Sequence, residues 1–532
     1  MRAVEDRKFR TSDDYELFYR YWPAESETPS GAVALFHRGH EHSGRMAHIV
    51  DELDLPGFAF FAWDARGLGL SRKEPEPDST SGTLVRDVQE FIAHISSTYG
   101  TDVNDIAVIG QSIGAVLVSA WAHDYAPGIR GMVLASPAFR VKLYVPFAWP
   151  GLRLAYALKG NFFVNSYVKG KFLTHDPQRI ASFETDPLIV RPIAVNILLG
   201  LNDVAERIVA DASAITIPTQ LLISANDWVV HHGPQHRLYE RLGTLTKERH
   251  LLAGFFHDTL GEKDRKLAIE KVREFLLRRF EEPIEQLSLL TADKLSFTRA
   301  EADRIASPLR RFSMQWIYWL MVRMGLRIGG WFSKGIRLGH ATGFDSGSTL
   351  DYVYQNSAQG LTPLGRLIDR RYLDSIGWKG IRERKRHIEG LLQDAAERLH
   401  SEGTAVRILD IAAGHGRYIL DAIEHIEVRP DSICLRDYSD LNVTAGSKLI
   451  RQRGLEDTVS FVKGDAFDRD SLAATEPSPT LGVVSGLYEL FADNDMIRRS
   501  LDGLAAAIPD GGYLIYTGQP WHPQLEFIGR AL

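Results

Sequence analysis

Cysteine is almost missing: Cys434 is the one thiol in 532 residues. A single thiol excludes an intramolecular disulfide framework and any multi-cysteine zinc site. Long apolar runs are missing as well. No stretch reaches the roughly 18 uncharged apolar residues that a spanning helix needs. The nearest approach, 312–332, carries Arg323, Arg327 and the pair Gly329 and Gly330. The first 22 residues hold no apolar secretory core, which predicts a cytoplasmic protein. The net charge is only −6, which excludes a polycation built to coat nucleic acid; no nucleic-acid partner is expected, and any basic patch must be local. There is no internal repeat and no low-complexity tract. What is there is ordinary for a globular chain, 44% hydrophobic and 24% charged, too apolar for disorder. The length calls for two or more domains.

The chain reads as two α/β halves. Residues 1–285 alternate short β-branched runs with helical patterns, as a mostly parallel sheet flanked by helices does. Strands are predicted at 32–36, 58–64, 106–110, 131–136, 219–224 and 247–252, most of them apolar throughout. Residues 139–211 break the rhythm with Pro-, Trp- and Tyr-rich segments and read as an inserted cap. Residues 286–380 read as a linker followed by a basic, aromatic helical segment, and a second β-α series fills 381–532.

The first chemistry lies in a strand–turn–helix. Gly110, Gln111, Ser112, Ile113 and Gly114 spell G-x-S-x-G directly after an apolar strand and before the helical run 115–123. Such a turn is tight enough to need small residues on both sides of the serine, and it lifts the hydroxyl above the sheet. A serine hydroxyl is a weak nucleophile at neutral pH and needs a base, which needs an orienting acid. Asp227 follows the strand 219–224 and His257 follows the strand 247–252, at the carboxyl ends where an open α/β sheet gathers its site. The plainer readings are a turn-forming aspartate and a surface histidine. After the first predicted strand come His37, Arg38, Gly39, His40, Glu41, His42 and, further on, His48. Four histidines this close suggest a metal, but acidic and cysteine co-ligands are not evident, and no metal is expected. The better reading is an oxyanion loop, with the N–H of Gly39 pairing with that of Ile113.

These motifs, with Asp64, Arg66, Gly67, Gly69 and Ser71 in D-x-R-G-x-G-x-S, resemble the α/β-hydrolases of the serine aminopeptidase S33 group, over about residues 10–280. Monoacylglycerol lipases and lysophospholipases belong to that group, so the resemblance implies cleavage of a carboxylic ester without choosing the ester. It implies Ser112 as nucleophile, His257 as base and Asp227 as its orienting acid. The part of the cap at 146–201, rich in aromatics and leucine, is then expected to form an acyl-chain pocket. Arg38 stands where those lipases carry glycine, and is expected to narrow or charge the acyl-side entrance.

The second chemistry is a glycine turn. An apolar strand from 406 ends in Asp410, followed by Ala412, Gly414 and Gly416 and then a helix. Glycines let a ligand approach the backbone, and a helix N-terminus adds N–H groups. The next predicted strand, 432–436, leads to Asp437, where a carboxylate can take both ribose hydroxyls; 459–463 leads to Asp465 and Ala466, a place to read an adenine edge. The series resembles a class I S-adenosylmethionine-dependent methyltransferase, a Rossmann-like fold, with Ala412 departing from the D-x-G-x-G-x-G pattern. The resemblance implies S-adenosylmethionine as cofactor; the hydrolase half needs none. A nicotinamide dinucleotide and an inactive domain that keeps only the fold are the rival readings. After the fifth strand, 512–517, no chain is left for the antiparallel pair that normally closes this fold. The order of the two halves resembles a bacterial fusion family of hydrolases and class I methyltransferases.

Between the halves, residues 304–343 hold seven Lys or Arg and no Asp or Glu, with Trp316, Trp319 and Trp331 interleaved. That suits either an anchor on an anionic membrane, which would put the protein peripherally at the inner face, or a helix packed between domains. Residues 343–356 form a polar–aromatic cluster suited to closing the cofactor or acceptor pocket. Acyl length, methyl acceptor and oligomeric state are left open.

Overall fold

The computed structural model describes every residue except 1, 27, 74–78, 284–287, 289, 296, 520, 521 and 523. Its chain divides into two units, Met1–Ser288 and Leu289–Leu532.

In the first unit, apolar β-branched runs build the centre of a sheet. The strands β1 (Glu5–Arg10), β2 (Glu16–Trp22), β3 (Gly31–Phe36), β4 (Phe58–Trp63), β5 (Ile106–Gln111) and β6 (Gly131–Ala135) come before an insertion. The insertion carries a small hairpin, β7 (Phe163–Asn165) with β8 (Pro192–Ala194), and β9 (Thr219–Ser224) and β10 (Lys247–Leu252) follow it. The sheet order is β1-β2-β4-β3-β5-β6-β9-β10. Every residue of β3, β4, β5, β6 and β9 is buried, which is why β3, β4 and β6 are apolar without alternation, although β5 ends in Gln111 and β9 also buries Thr219, Gln220 and Ser224. Alternate residues go to opposite faces: Ala32, Ala34 and Phe36 pack with Val88, Phe91 and Val116, while Val33 and Leu35 pack with Val50, Ile269 and Val272. β1 carries no such run, whereas β2 buries Leu17, Phe18 and Tyr19 in a row. They form an antiparallel pair at one edge, and only Phe9 of β1 is buried.

The interval 139–211 divides differently from the cap expected there. The helix Ala148–Lys159 buries none of its residues. Leu154, Tyr156 and Leu158 face solvent, while Trp149 and Leu152 are half-buried. The helix Val195–Ala210, by contrast, sets Leu201, Ala205, Ile208 and Val209 into the main core. It is framework, because its apolar spacing matches the groove beside helices Ser81–Tyr99 and Ile113–Tyr125.

Among the described residues the second unit has five parallel strands, β11 (Arg407–Ile411), β12 (Ser432–Asp437), β13 (Val459–Lys463), β14 (Leu481–Val484) and β15 (Tyr513–Tyr516), in the order β13-β12-β11-β14-β15. The order reverses between β11 and β14, which makes their carboxyl ends the natural crevice for a ligand. The boundary expected at 380 falls inside one helix, Ile376–Ser401, whose buried Ile388, Leu392 and Leu399 pack on this sheet. The preceding helices, from Met314–Phe332 to Pro363–Leu373, are part of this unit rather than a linker. Among the described residues no helix is long and apolar enough to cross a membrane.

Candidate active sites

Ser112 joins β5 to the helix Ile113–Tyr125 with φ 55° and ψ −113°, a conformation side chains rarely adopt. The flanking glycines are required by contact. A Cβ on Gly110 would lie 2.7 Å from the Ala115 Cα, and one on Gly114 would lie 2.4 Å from the Phe36 carbonyl oxygen. The strain is held in place by tertiary bonds, including the Ser112 N–H donating to the Ala135 carbonyl at 2.9 Å. The Ser112 Oγ is 2.7 Å from His257 Nε2. His257 Nδ1 lies 2.7 Å from the Asp227 Oδ2, and the other Asp227 oxygen accepts the N–H groups of Val229 and Val230 at 2.7 and 3.0 Å. Burial works against ionisation of Asp227, but the nearby His257 and these hydrogen bonds hold its carboxyl below the usual range. All three side chains are buried. Gly39 and Ile113 are neighbours: a Cβ on Gly39 would meet the Ile113 Cδ1 at 2.6 Å. Ile113 opens its helix, where N–H groups have no intrahelical acceptor.

The loop histidines are tied individually. His37 Nδ1 is 2.7 Å from the Arg38 carbonyl and its Nε2 accepts the Ala65 N–H at 3.0 Å. His40 meets the Val190 carbonyl at 2.6 Å, His42 the Asp186 carboxylate at 3.0 Å and His48 the Leu260 carbonyl at 2.7 Å. Among the described residues no three His, Cys, Asp or Glu are grouped to hold a metal. The D-x-R-G-x-G-x-S segment is a structural brace: Asp64 accepts the N–H groups of Ser43 and Leu70, and Arg66 forks onto Asp87 at 2.8 and 2.7 Å.

Arg38 does not line an entrance. It is buried, its guanidinium forks onto Glu41 with two contacts of 2.6 Å, and it stands 3.4 Å from Asp258. Asp258 in turn accepts from Gln111 at 2.8 Å and from Arg179 at 3.0 Å. A charge in a dry interior must be paired, so Arg38 turns inward to two carboxylates. Burial opposes ionisation of both acids, yet Arg179 and Arg38 hold Asp258 well below the usual range, and Arg38 and Arg45 bring Glu41 down to about 2. Arg38, Gln111 and Asp258 stand beside Gly39, Ser112 and His257 in the chain. Sequence reading gave Arg38 an entrance role and gave Gln111 and Asp258 none; the one available signal was that each adjoins a motif residue.

In the second unit, Ala412, Gly414 and Gly416 take φ of 56°, 58° and 72°, so the turn at the carboxyl end of β11 is left-handed at three places. The Gly414 N–H donates to Asp437 Oδ2 at 2.8 Å, and Asp437 Oδ1 accepts from the Ser439 N–H and the Asn442 amide, both at 2.9 Å. Asp410 lies below the turn, fully buried, with one oxygen taking the Tyr418 hydroxyl and the other without a partner. Burial and the nearby Asp437 push its carboxyl well above the usual range. Ser485, just past β14, also has a buried hydroxyl without a partner. Unmatched polar atoms at the switch point, beside a turn shaped for close approach, fit a ligand with both charged and hydroxyl groups. Asp465 does not join them directly. It is exposed and its Oδ1 accepts the Phe467 N–H, although the loop reaches Asp437 through the Gly464 N–H at 3.1 Å; Ala466 is buried. Sequence reading missed Arg384, which pairs with Glu489 at 2.7 Å and would meet a Cβ on Gly486 at 2.5 Å. The cluster at 343–356 lies on the glycine turn. Ser348 is 3.2 Å from His415, Arg417 pairs with Asp351, and a Cβ on Gly347 would meet the Gly414 Cα at 2.8 Å.

The protein YnbC of Escherichia coli (strain K12) is 53% identical over 535 residues, covering 100% of this chain and 91% of that one. The chain belongs to the YnbC family. The profile of the family described as "Serine aminopeptidase, S33" matches residues 27–264, and the one described as "Putative methyltransferase" matches 272–532. The first unit is therefore an α/β-hydrolase fold and the second a Rossmann-like, methyltransferase-type fold. A monoacylglycerol lipase of Mycolicibacterium smegmatis is 23% identical over 270 residues, 49% of this chain and 92% of its own length. The crystal structure of Paleococcus ferrophilus monoacylglycerol lipase superposes with a TM-score of 0.45 at 22% identity, covering 49% of this chain and 99% of that one.

Proposed function

We propose that this member of the YnbC family is an enzyme with two sites: a serine hydrolase for a lipid-like carboxylic ester and an S-adenosylmethionine-dependent methyltransferase. The observation that carries the first is the unbroken hydrogen-bonded chain Ser112–His257–Asp227. Ser112 Oγ attacks the ester carbonyl carbon while His257 Nε2 takes its proton, and Asp227 stabilises the imidazolium. The N–H groups of Gly39 and Ile113 hold the oxyanion. His257 then gives the proton to the departing alkoxide, leaving an acyl-Ser112 ester that water opens by the same steps. The relatives named as monoacylglycerol lipases and the bare apolar helix Ala148–Lys159 support a lipid-like acyl group. Short p-nitrophenyl esters and a monoacylglycerol should be cleaved, and Ser112→Ala should remove several orders of magnitude of rate with the fold intact. Wild-type-like turnover by that variant would sink the assignment.

For the second site, S-adenosylmethionine supplies an electrophilic methyl group. Gly414 and Gly416 would admit its methionine end, Asp410 below the turn would offer an acceptor to the ammonium, Asp437 would take the ribose hydroxyls, and the loop of Asp465 and Ala466 would meet the adenine. A second reading, a module that only binds lipid or a partner, is favoured by the helix Gly347–Gln355 packing backbone to backbone on the turn. Calorimetry with S-adenosylmethionine separates the two: binding supports the transferase, and no binding by the folded chain leaves the module.

A further inference from the structure

The helix Met314–Phe332 has two faces, and the fold uses one. Trp319 and Gly330 are buried, where the helix packs against Lys334–Thr342, Pro363–Leu373 and Leu525–Ala531. On the other side, Ile317, Met321, Met324, Ile328 and Trp331 recur at steps of three and four, which places them in one stripe with Tyr318 at its margin. All six are exposed, Met321 at 63% and Trp331 at 71%. Single exposed apolar side chains are ordinary, whereas a continuous row along a whole helix marks a surface meant to be covered. Beyond Trp331 the bare surface continues through Leu361, whose N–H meets the Phe332 carbonyl.

The charge around the stripe is of one sign. Arg327 borders it, Arg323 lies further round toward the packed side, Arg310 and Arg311 precede it, and all four are exposed. Among the described residues none of the four is paired with an acid, and 304–343 contains no Asp or Glu at all. The helix is not apolar enough to span a bilayer. A second copy of the chain would bring the same arginines to the contact and repel; anionic headgroups neutralise them. Tyr and Trp beside arginines are also the composition that settles at the headgroup level. We infer that this stripe is an interfacial anchor that lays the second unit on a bilayer rich in anionic phospholipid, with the apolar row in the acyl boundary and Arg323 and Arg327 among the headgroups.

The full chain is tested by co-sedimentation with phosphatidylcholine vesicles, with and without a third of phosphatidylglycerol. Strong binding is expected only to the anionic vesicles, fading as salt shortens the screening length. Arg323→Gln with Arg327→Gln should weaken it roughly 30-fold at low salt. Met321→Glu with Trp331→Glu should abolish it and the accompanying blue shift of tryptophan emission. Hydrolysis of a short soluble ester and the circular-dichroism spectrum should be unchanged in both variants, which touch only exposed positions. The inference is overturned by absent binding, by equal binding to neutral vesicles, or by binding that both double variants leave intact. It is equally overturned if sedimentation shows an oligomer that Met321→Glu with Trp331→Glu takes apart while vesicles are ignored, which would assign the stripe to a second copy.

Discussion

Arg38 shows how one residue can tie a site together from behind. Its guanidinium reaches Glu41 and Asp258, so it links the loop holding Gly39 to the loop holding His257. Removing one partner of a buried pair typically costs about 3–5 kcal/mol, because the other charge is left dry and unmatched. Arg38→Met is therefore expected to lower the unfolding free energy of the first unit by that amount in denaturant titration, and to lower kcat more than it raises KM. Arg38→Lys keeps the charge but not the fork, and should fall between. No change in either would mean that Arg45 and Arg179 suffice. Ala412 is the opposite case, a side chain where glycine would be easier. At φ 56° its Cβ is strained by about 1–2 kcal/mol, partly offset by the chain entropy that glycine would lose. Ala412→Gly should raise the stability of the second unit by roughly 0.5–1 kcal/mol, read from its thermal unfolding.

The loop after β3 carries a pH dependence as an element. Burial holds His37, His40 and His48 below the ordinary imidazole value. The unfolded chain takes up protons near pH 6.5 that the folded loop refuses, so this stability is present above that pH and lost as pH falls through it. Glu41, held at about 2, and Asp227, also lowered, act further down: their contribution is present above the ordinary carboxyl value near 4 and lost in stronger acid. His123 has the opposite sign. Burial opposes its charge, but Asp124 and Asp211 raise it, so its stabilisation is full below pH 6.5 and fades at higher pH. Burial lowers His94, His231 and His236 as well, so with six lowered histidines against one raised the melting temperature of the first unit should fall between pH 7 and pH 5. His40→Gln should flatten that slope, and an unchanged slope would remove the loop as its cause.

At the scale of the molecule, the two sites stand on separate sheets and separate hydrophobic clusters. Substitutions with no shared partner add, so each site should be damaged alone. Asp437→Ala should weaken S-adenosylmethionine binding by roughly 10- to 150-fold, the worth of a buried hydrogen bond to a charged group, and leave ester hydrolysis unchanged. Ser112→Ala should do the reverse. Because Asp437 also accepts the Gly414 N–H, a melting curve must accompany the calorimetry. A fall in esterase rate with Asp437→Ala would show that the units communicate.

Much of this protein was legible in its sequence because it is written in contiguous chemistry. The apolar runs that became β3 to β6 need no distant information, since a strand covered on both faces is largely apolar. The tight turn at Ser112 demands small neighbours within five positions, and the order Ser112, Asp227, His257 reflects which strand ends lie together. The glycine turn after Asp410 was readable for the same local reason. The rest depends on partners far along the chain. β1 lacks an apolar run because, as the edge strand, it buries only Phe9. The helix Val195–Ala210 belongs to the framework only because helices Ser81–Tyr99 and Ile113–Tyr125 leave a groove for it. Arg38 looked like an entrance residue until Glu41 and Asp258 were seen to surround it. Likewise, the bare stripe of Met314–Phe332 is decided by which face its neighbours cover. Local propensity and spacing can nominate a strand, a turn or a nucleophile, but the burial of a charge or of a helix face is fixed only by the packing of segments distant in sequence.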